Sequence, residues 1–255
     1  MKVSWRRVAA ALVKFLARRP LGKRLVFFFE LERGLCSTLV PQRMGLREVP
    51  IKTLFPDADD IGITVDVIPE GDWSCQMGDL IQLLKLVRLL QPQRVLELGS
   101  FRGYTAAYIA RNLPAGGRVV AVDIDPEHGS AYRGTAQERS IERRTGAIAD
   151  TLFNASDRGS YDLVFIDADH RYAGVRNDTE VALKLVSPRG YIAWHDYANF
   201  GYFNGICQVP EYLTELARSK PLVNLAGTTL ALYSPAWESG SPGEQHHVLQ
   251  QTGRS

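Results

Sequence analysis

Leu163-Val164-Phe165-Ile166 sets four apolar residues side by side, without the alternation of a half-solvated strand. Such a run marks a parallel strand covered on both faces. Runs of this kind predict strands over 94–98, 118–123, 142–146, 162–167 and 190–195. Between them the period changes. Leu80, Ile81, Leu83, Leu84, Leu86, Val87, Leu89 and Leu90 fall at helical spacing and predict a helix over 77–90. Further helices fit 104–112, 172–186 and 209–218, with another near 127–138. Segments 222–225 and 229–233 flank Ala226-Gly227 and read as a closing antiparallel pair. This alternation argues for an α/β fold, a doubly wound Rossmann-like sheet that is mostly parallel with an antiparallel last strand and helices on both faces.

Both ends of the chain depart from that pattern. Trp5, Val8, Ala9, Leu12, Val13 and Leu16 share one face of a helical wheel, and Arg6, Arg7, Lys14 and Arg18 lie opposite. A basic amphipathic helix of this kind either lies on an anionic membrane surface or packs on the body or on a second subunit. Its arginines break up the apolar core a cleaved signal peptide needs. Residues 40–75 are rich in Pro, Gly and Asp and read as a connecting segment, and beyond Pro235 the composition turns to Ser, Gly, Gln and His. The organisation expected is an N-terminal helix and connector over 1–60, one ligand-binding domain over 61–235 and a flexible tail over 236–255.

Composition narrows the class without naming it. Apolar residues make up 45% and charged residues 23% of the 255, as in ordinary soluble domains. Residues 1–24 carry eight cations and no acid, so a net charge of +2 leaves −6 for the remainder. A mildly acidic body is poor material for a nucleic-acid groove. Cys36, Cys75 and Cys207 are scattered with no C-x-x-C pair, which fits a reducing, cytoplasmic compartment, with membrane association left open through residues 1–24. No apolar run approaches the length of a membrane span.

The chemistry begins at Glu97-Leu98-Gly99-Ser100-Phe101-Arg102-Gly103-Tyr104-Thr105, where a buried strand meets a glycine turn and then a helix. Such a turn brings bare backbone close to a ligand and aims helix N–H groups at it. The next strand ends at Asp123, where a carboxylate can accept both hydroxyls of a ribose. A dinucleotide turn would carry glycine at 101 and 104, but these are Phe101 and Tyr104. An acid two residues before the first glycine suits a cofactor with a cationic amino-acid end instead, and S-adenosylmethionine has one.

Ligands in such sheets lie beyond the carboxyl ends of the strands. There the chain carries Thr145-Gly146-Ala147-Ile148, then Asp167-Ala168-Asp169-His170, then Trp194-His195-Asp196-Tyr197. With the glycine turn and Val122-Asp123, these motifs resemble the class I S-adenosylmethionine-dependent methyltransferases. The glycine turn with its central aromatic is similar to the catechol and caffeoyl-CoA O-methyltransferases. The His-Asp pair is closer to the bacterial macrolide-sugar O-methyltransferases. The resemblance spans about residues 76–234.

The resemblance implies particular roles. Glu97, Gly99, Ser100, Gly103 and Thr105 would hold the methionine end of S-adenosylmethionine and Asp123 its ribose. Ala147 would lie near the adenine, and Asp169 would help seat the cofactor. Asp167, His195 and Asp196 would bind a divalent metal, and His170 would be the general base toward a small hydroxylated acceptor, a sugar or natural-product type. A histidine of pKa about 6.5 can take a hydroxyl proton near neutrality. His195 stands where the relatives usually carry an acid. That leaves Mg²⁺, Mn²⁺, Fe²⁺ or Zn²⁺ open, and equally a metal-free site with His195 as second base or substrate ligand, or a strand-end histidine bonded to backbone. For Asp169 and His170 the alternative is capping of the helix that follows. Tyr172, Tyr197, Phe200, Tyr202 and Phe203 are expected around the substrate pocket. The relatives are often dimers or larger, which makes a homo-oligomer an expectation too. Two other functions compete: a membrane-surface methyltransferase of a lipid-linked or glycan substrate, and a non-catalytic cofactor-binding subunit.

Overall fold

The computed structural model describes residues 45–65, 75–198 and 207–240. The amphipathic helix expected over 1–24, Phe200, Tyr202, Phe203 and the tail beyond 240 lie outside these residues. Among them, no helix is long and apolar enough to cross a membrane.

Eight strands form one sheet: β1 (Arg47–Val49), β2 (Arg94–Leu98), β3 (Arg118–Asp123), β4 (Ile141–Thr145), β5 (Tyr161–Ile166), β6 (Val186–Trp194), β7 (Val223–Leu225) and β8 (Ala231–Tyr233). Their order is β1-β7-β8-β6-β5-β2-β3-β4. β8 pairs antiparallel with both β6 and β7, and every other pairing is parallel. Helices α1 (Ile51–Leu54), α2 (Met77–Leu90), α3 (Tyr104–Asn112), α4 (Tyr172–Leu185) and α5 (Val209–Leu216) complete the described elements, with short 3₁₀ turns between them.

Alternation along each strand feeds two apolar layers. Val95, Val119, Ala121, Leu163 and Phe165 pack with Leu83, Leu84 and Val87 of α2 and Ile109 of α3. Leu96, Leu98, Val120, Val122, Val164 and Ile166 pack with Val175, Ala182 and Leu185 of α4 and Leu213 of α5. Burying both faces of the central strands explains their unbroken apolar runs. It also puts Glu97, between Leu96 and Leu98, on the α2–α3 side.

The sheet winds outward in both directions from the β2–β5 pair. This is the switch point at which a crevice opens beyond the strand ends. Leu98 pairs with Ile166, so Gly99 and Asp167 emerge side by side, and Asp167 N–H donates to the Leu98 carbonyl at 2.8 Å.

Three sequence expectations need correction. The connecting segment contains a strand: β1 pairs with β7, extending the sheet to residue 47, ahead of the expected domain start at 61. No helix forms over 127–138. Gly129 and Gly134 take positive φ there, and only a 3₁₀ turn, Ala136–Ser140, follows. The tail expected from 236 starts inside the fold: Ser234 caps a 3₁₀ turn, Pro235–Ser239, whose buried Trp237 stands edge-on to Tyr191 with ring centroids 5.7 Å apart.

Candidate functional site

The glycine turn closes through unusual backbone. Gly99 (φ 89°), Phe101 (φ 42°) and Gly103 (φ 82°) are all left-handed. A Cβ on Gly99 would overlap the Asp167 carbonyl and the Ala168 Cα, so glycine is required where the β2 and β5 loops touch. A Cβ on Gly103 would run into the Tyr132 ring. Gly103 therefore serves packing as well as the mouth of α3. Phe101 remains 48% exposed despite its apolar ring, and its N–H donates to Asp123 Oδ2 at 2.7 Å. Asp125 N–H donates to Asp123 Oδ1 at 3.0 Å. The carboxylate is thus locked in orientation while each oxygen keeps a free lone pair.

Glu97 is 1% exposed and accepts a hydrogen bond from the Ala106 N–H in the first turn of α3, yet its Oε2 has no partner. Burial, with Asp167 and Asp123 nearby, pushes its pKa well above the usual carboxyl range. An orphaned buried carboxyl oxygen costs free energy unless a donor arrives. The ammonium of an amino-acid ligand is such a donor, so the residues present fit the methionine end of S-adenosylmethionine. Ser100 is turned away from this point. Its hydroxyl meets the buried His128 Nδ1 at 2.7 Å, and His128 Nε2 reaches Thr145 Oγ1 at 3.5 Å. This chain ties the turn to the end of β4.

Two cavities flank the turn. One, of about 380 Å³, is lined by Gly99, Gly103, Thr105, Cys75, Asp167 and His170 among others. The second, of about 740 Å³, runs past Asp123, Ala147, Asp169, Asn177 and Asp178. Glycine turn, Asp123 and Ala147 therefore follow one another along a single crevice. Asp169 lies on its wall, where its carboxylate accepts from Arg171 N–H at 2.9 Å and pairs with the Arg171 guanidinium at 2.6 Å. Gly174 leaves room for that side chain, because a Cβ there would overlap it.

Beyond β5 and β6 four side chains interlock. His170 Nε2 lies 2.9 Å from Asp196 Oδ2 and 3.4 Å from Asp167 Oδ1. His195 Nδ1 lies 3.1 Å from Asp167 Oδ1 and 3.3 Å from Asp196 Oδ1. On its far side His195 Nε2 meets Asp79 Oδ2 at 3.2 Å. Burial opposes ionisation of Asp167 and Asp196, but His195 and His170 outweigh it and hold both carboxyls below their usual range. Burial likewise opposes the His195 cation, and Asp167 and Asp196 still raise its pKa well above that of free imidazole. Hydrogen bonds to Asp167 and Asp196 push the His170 pKa up to about 10. Asp196 itself sits at φ 63°, a left-handed conformation costly for a non-glycine residue and frequent at functional sites.

The expected site residues are thus gathered, with one rearrangement. Among the described residues, the group whose ligand atoms can converge on a cation is Asp167, His170 and Asp196, all within 4.8 Å of one another. Two carboxylates and an imidazole suit a divalent metal. His195 lies behind them with both nitrogens against carboxylates, not against a backbone carbonyl. Tyr197 is fully buried, its hydroxyl accepting from Leu46 N–H, and Tyr172 packs edge-on against Tyr212; both are packing residues. The sequence reading missed Asp79, His128, Asp178 and Cys75. By position alone Asp79 is an ordinary first-turn acid of α2, and His128 lies within the helix expected near 127–138.

Residues 96–197 match the family model described as "Methyltransferase domain". The chain is 31% identical to a catechol O-methyltransferase domain-containing protein of Mus musculus over 134 residues, covering 49% of this chain and 50% of the relative. It is 36% identical to a catechol O-methyltransferase of Mycobacterium tuberculosis over 106 residues, covering 40% and 47% respectively. The chain spans about half the length of these curated relatives. Among solved structures, the O-methyltransferase TomG of Streptomyces achromogenes, in complex with S-adenosylmethionine, aligns with a TM-score of 0.54 at 23% identity over 78% of this chain and 93% of that one. That likeness concerns the fold. Residues 96–197 thus match a methyltransferase domain, within a Rossmann-like fold that resembles that of TomG.

Proposed function

We propose that this protein transfers the methyl group of S-adenosylmethionine to a hydroxyl oxygen of a small acceptor. One observation carries the reading. The buried, orphaned Glu97 carboxyl lies near the end of β2, two residues before the glycine turn, and Gly99 of that turn lines a common cavity with Asp167 and His170. A methyl donor held at the turn would face an acceptor held at Asp167 and His170.

In this reading Glu97 takes the ammonium of the donor, the first-turn N–H groups of α3 its carboxylate, and Asp123 the ribose hydroxyls. Ala147 and the neighbouring Gly146 leave a flat wall for the adenine, and Asp169 closes the rim. The acceptor oxygen attacks the methyl carbon in line with the breaking C–S bond. The sulfonium charge is lost, S-adenosylhomocysteine leaves, and the hydroxyl proton passes to Nε2 of His170, which must first release to solvent the proton that Asp167 and Asp196 favour there in the protein alone. Asp167, His170 and Asp196 would hold a divalent metal, which when bound supplies charge that lowers the hydroxyl pKa. A histidine that ligates cannot also take the proton through the same nitrogen. Metal assistance and the base role of His170 are therefore alternatives, and chelation separates them. Relatives named catechol O-methyltransferase and caffeoyl-CoA O-methyltransferase support a hydroxylated small molecule as acceptor.

The test is transfer from methyl-labelled S-adenosylmethionine to catechol, caffeoyl-CoA and a small-molecule extract of hydroxylated metabolites, with and without EDTA. Label is expected in an ether product, and His170→Asn is expected to lower turnover by about 10²-fold or more. No product from any acceptor, with donor binding intact, would contradict the reading.

A further inference from the structure

His195 looks like a ligand in sequence and behaves as a brace in three dimensions. Both its nitrogens face carboxylate oxygens: Nδ1 faces Asp167 at 3.1 Å and Asp196 at 3.3 Å, and Nε2 faces Asp79 at 3.2 Å. Each ring nitrogen is therefore already taken up by a carboxylate oxygen. Asp79 is itself fastened. Its Oδ1 accepts from Thr229 N–H and its Oδ2 from Thr229 Oγ1, each at 2.9 Å. Thr229 Oγ1 in turn accepts from Asp196 N–H at 3.1 Å, and the Thr229 carbonyl accepts from Tyr197 N–H at 2.8 Å. The loop before β8 thus grips both ends of the arrangement.

This network has a clear polarity. Asp167 and Asp196 are bridged twice, by His195 from inside the protein and by His170 from the crevice side. The inner bridge is fixed, with the His195 side chain 8% exposed, and the outer one is open, with His170 40% exposed. Two carboxylates this close would repel each other apart if nothing joined them. A buried donor pinned from behind holds their oxygens in register, while the exposed imidazole remains free to share them with, or yield them to, an incoming cation.

We propose that Asp79 and His195 are positioning residues: anchored by Thr229, Asp79 orients His195, and His195 holds the Asp167 and Asp196 oxygens at the spacing a divalent cation needs. The proposal rests on the reading of Asp167, His170 and Asp196 as the cation-binding group. It moves His195 from ligand to support, and assigns a role to Asp79, which comes from the first turn of α2. Partners that orient a metal's ligands generally change its affinity by about 10–100-fold when removed.

The experiment uses the full chain, Mn²⁺ as probe with electron paramagnetic resonance as readout, and calorimetric binding of S-adenosylhomocysteine as an independent measure. Asp79→Asn is expected to weaken Mn²⁺ by about 10–100-fold and to alter the spectrum of the bound ion. Its affinity for S-adenosylhomocysteine should stay within about twofold, since Asp79 touches neither cavity wall near the turn. His195→Asn keeps a donor near the Nδ1 position and should retain more Mn²⁺ affinity than His195→Phe. If Asp79→Asn fails to fold, Thr229→Val removes only the hydroxyl and should show a smaller loss in the same direction. An Asp79→Asn or Thr229→Val protein that melts lower but binds Mn²⁺ as the wild type does would overturn the proposal. So would a wild type that binds no Mn²⁺, or a His195→Phe protein with undiminished affinity. Failure to bind S-adenosylhomocysteine would instead overturn the donor reading and leave the Mn²⁺ comparison standing.

Discussion

His170 Nε2 stands 2.9 Å from Asp196 Oδ2, the shortest of the imidazole–carboxylate contacts at the ends of β5 and β6. With Asp167 on the same nitrogen, the contact pushes the His170 pKa up to about 10. In the protein alone, His170 is therefore a cation at neutral pH. Its raised pKa adds stability that is present below about pH 6.5 and is lost as pH rises through about 10. We expect NMR titration of the metal-free protein to show this ring titrating far above free imidazole. Asp196→Asn should bring it down toward the ordinary range. A His170 resonance titrating near 6.5 in the wild type would contradict the geometry.

Asp157 anchors the far edge of the sheet. It is 1% exposed and takes Arg144 Nη1 at 2.8 Å, Arg94 Nη2 at 3.0 Å, the Tyr161 hydroxyl at 3.0 Å and Asn154 N–H at 3.0 Å. Burial disfavours its charge, but the Arg144 hydrogen bond and its companions overcome this and hold the pKa well below the carboxyl range. A depressed carboxyl pKa gives stability that is present above the unfolded value, about 3.9, and is lost as pH falls below it. Asp157→Asn should cost about 2–4 kcal/mol in urea unfolding at pH 7, and the gap to wild type should narrow steadily below pH 4. A gap that does not depend on pH would contradict the ion-pair account.

Asp178 presents the opposite case. It is 3% exposed with Oδ2 unbonded, and burial pushes its pKa up to about 6. Because the folded state binds the proton more tightly than the unfolded chain, stability falls as pH rises from about 4 to about 6 and stays reduced above. Asp178→Asn should therefore raise the unfolding free energy at pH 8 by about 1–3 kcal/mol and change it little at pH 4. Equal effects at both pH values would show that the carboxyl is not the strained group.

Much of this architecture is legible in the chain because burial writes it there. The helices over 77–90 and 104–112 and the strands over 94–98 and 118–123 fall where the apolar pattern ends. β1 was invisible for a physical reason. Arg47-Glu48-Val49 has no period of its own and becomes a strand only by pairing with β7. The site divides the same way. Glu97, Asp123, Asp167, His170, His195 and Asp196 stand at the ends of strands or just beyond them, where an α/β sheet presents its chemistry. Asp79 is brought to His195 across 116 residues of sequence, and His128 reaches Ser100 through a loop shaped by Gly129 and Gly134. Nothing local announces either contact. Only the closing of the sheet creates them.

The methyl-donor site rests on Glu97, and binding of S-adenosylhomocysteine tests it most directly. The carboxyl is buried, protonated more readily than a free one, and short of one partner. An incoming ammonium should ionise it. Calorimetry at pH 7 in buffers of different ionisation enthalpy should show one-to-one binding with net proton release. Glu97→Gln should bind about 10–100-fold more weakly and release no proton. A wild type that binds no S-adenosylhomocysteine, or a Glu97→Gln protein that binds it equally well, would contradict the account.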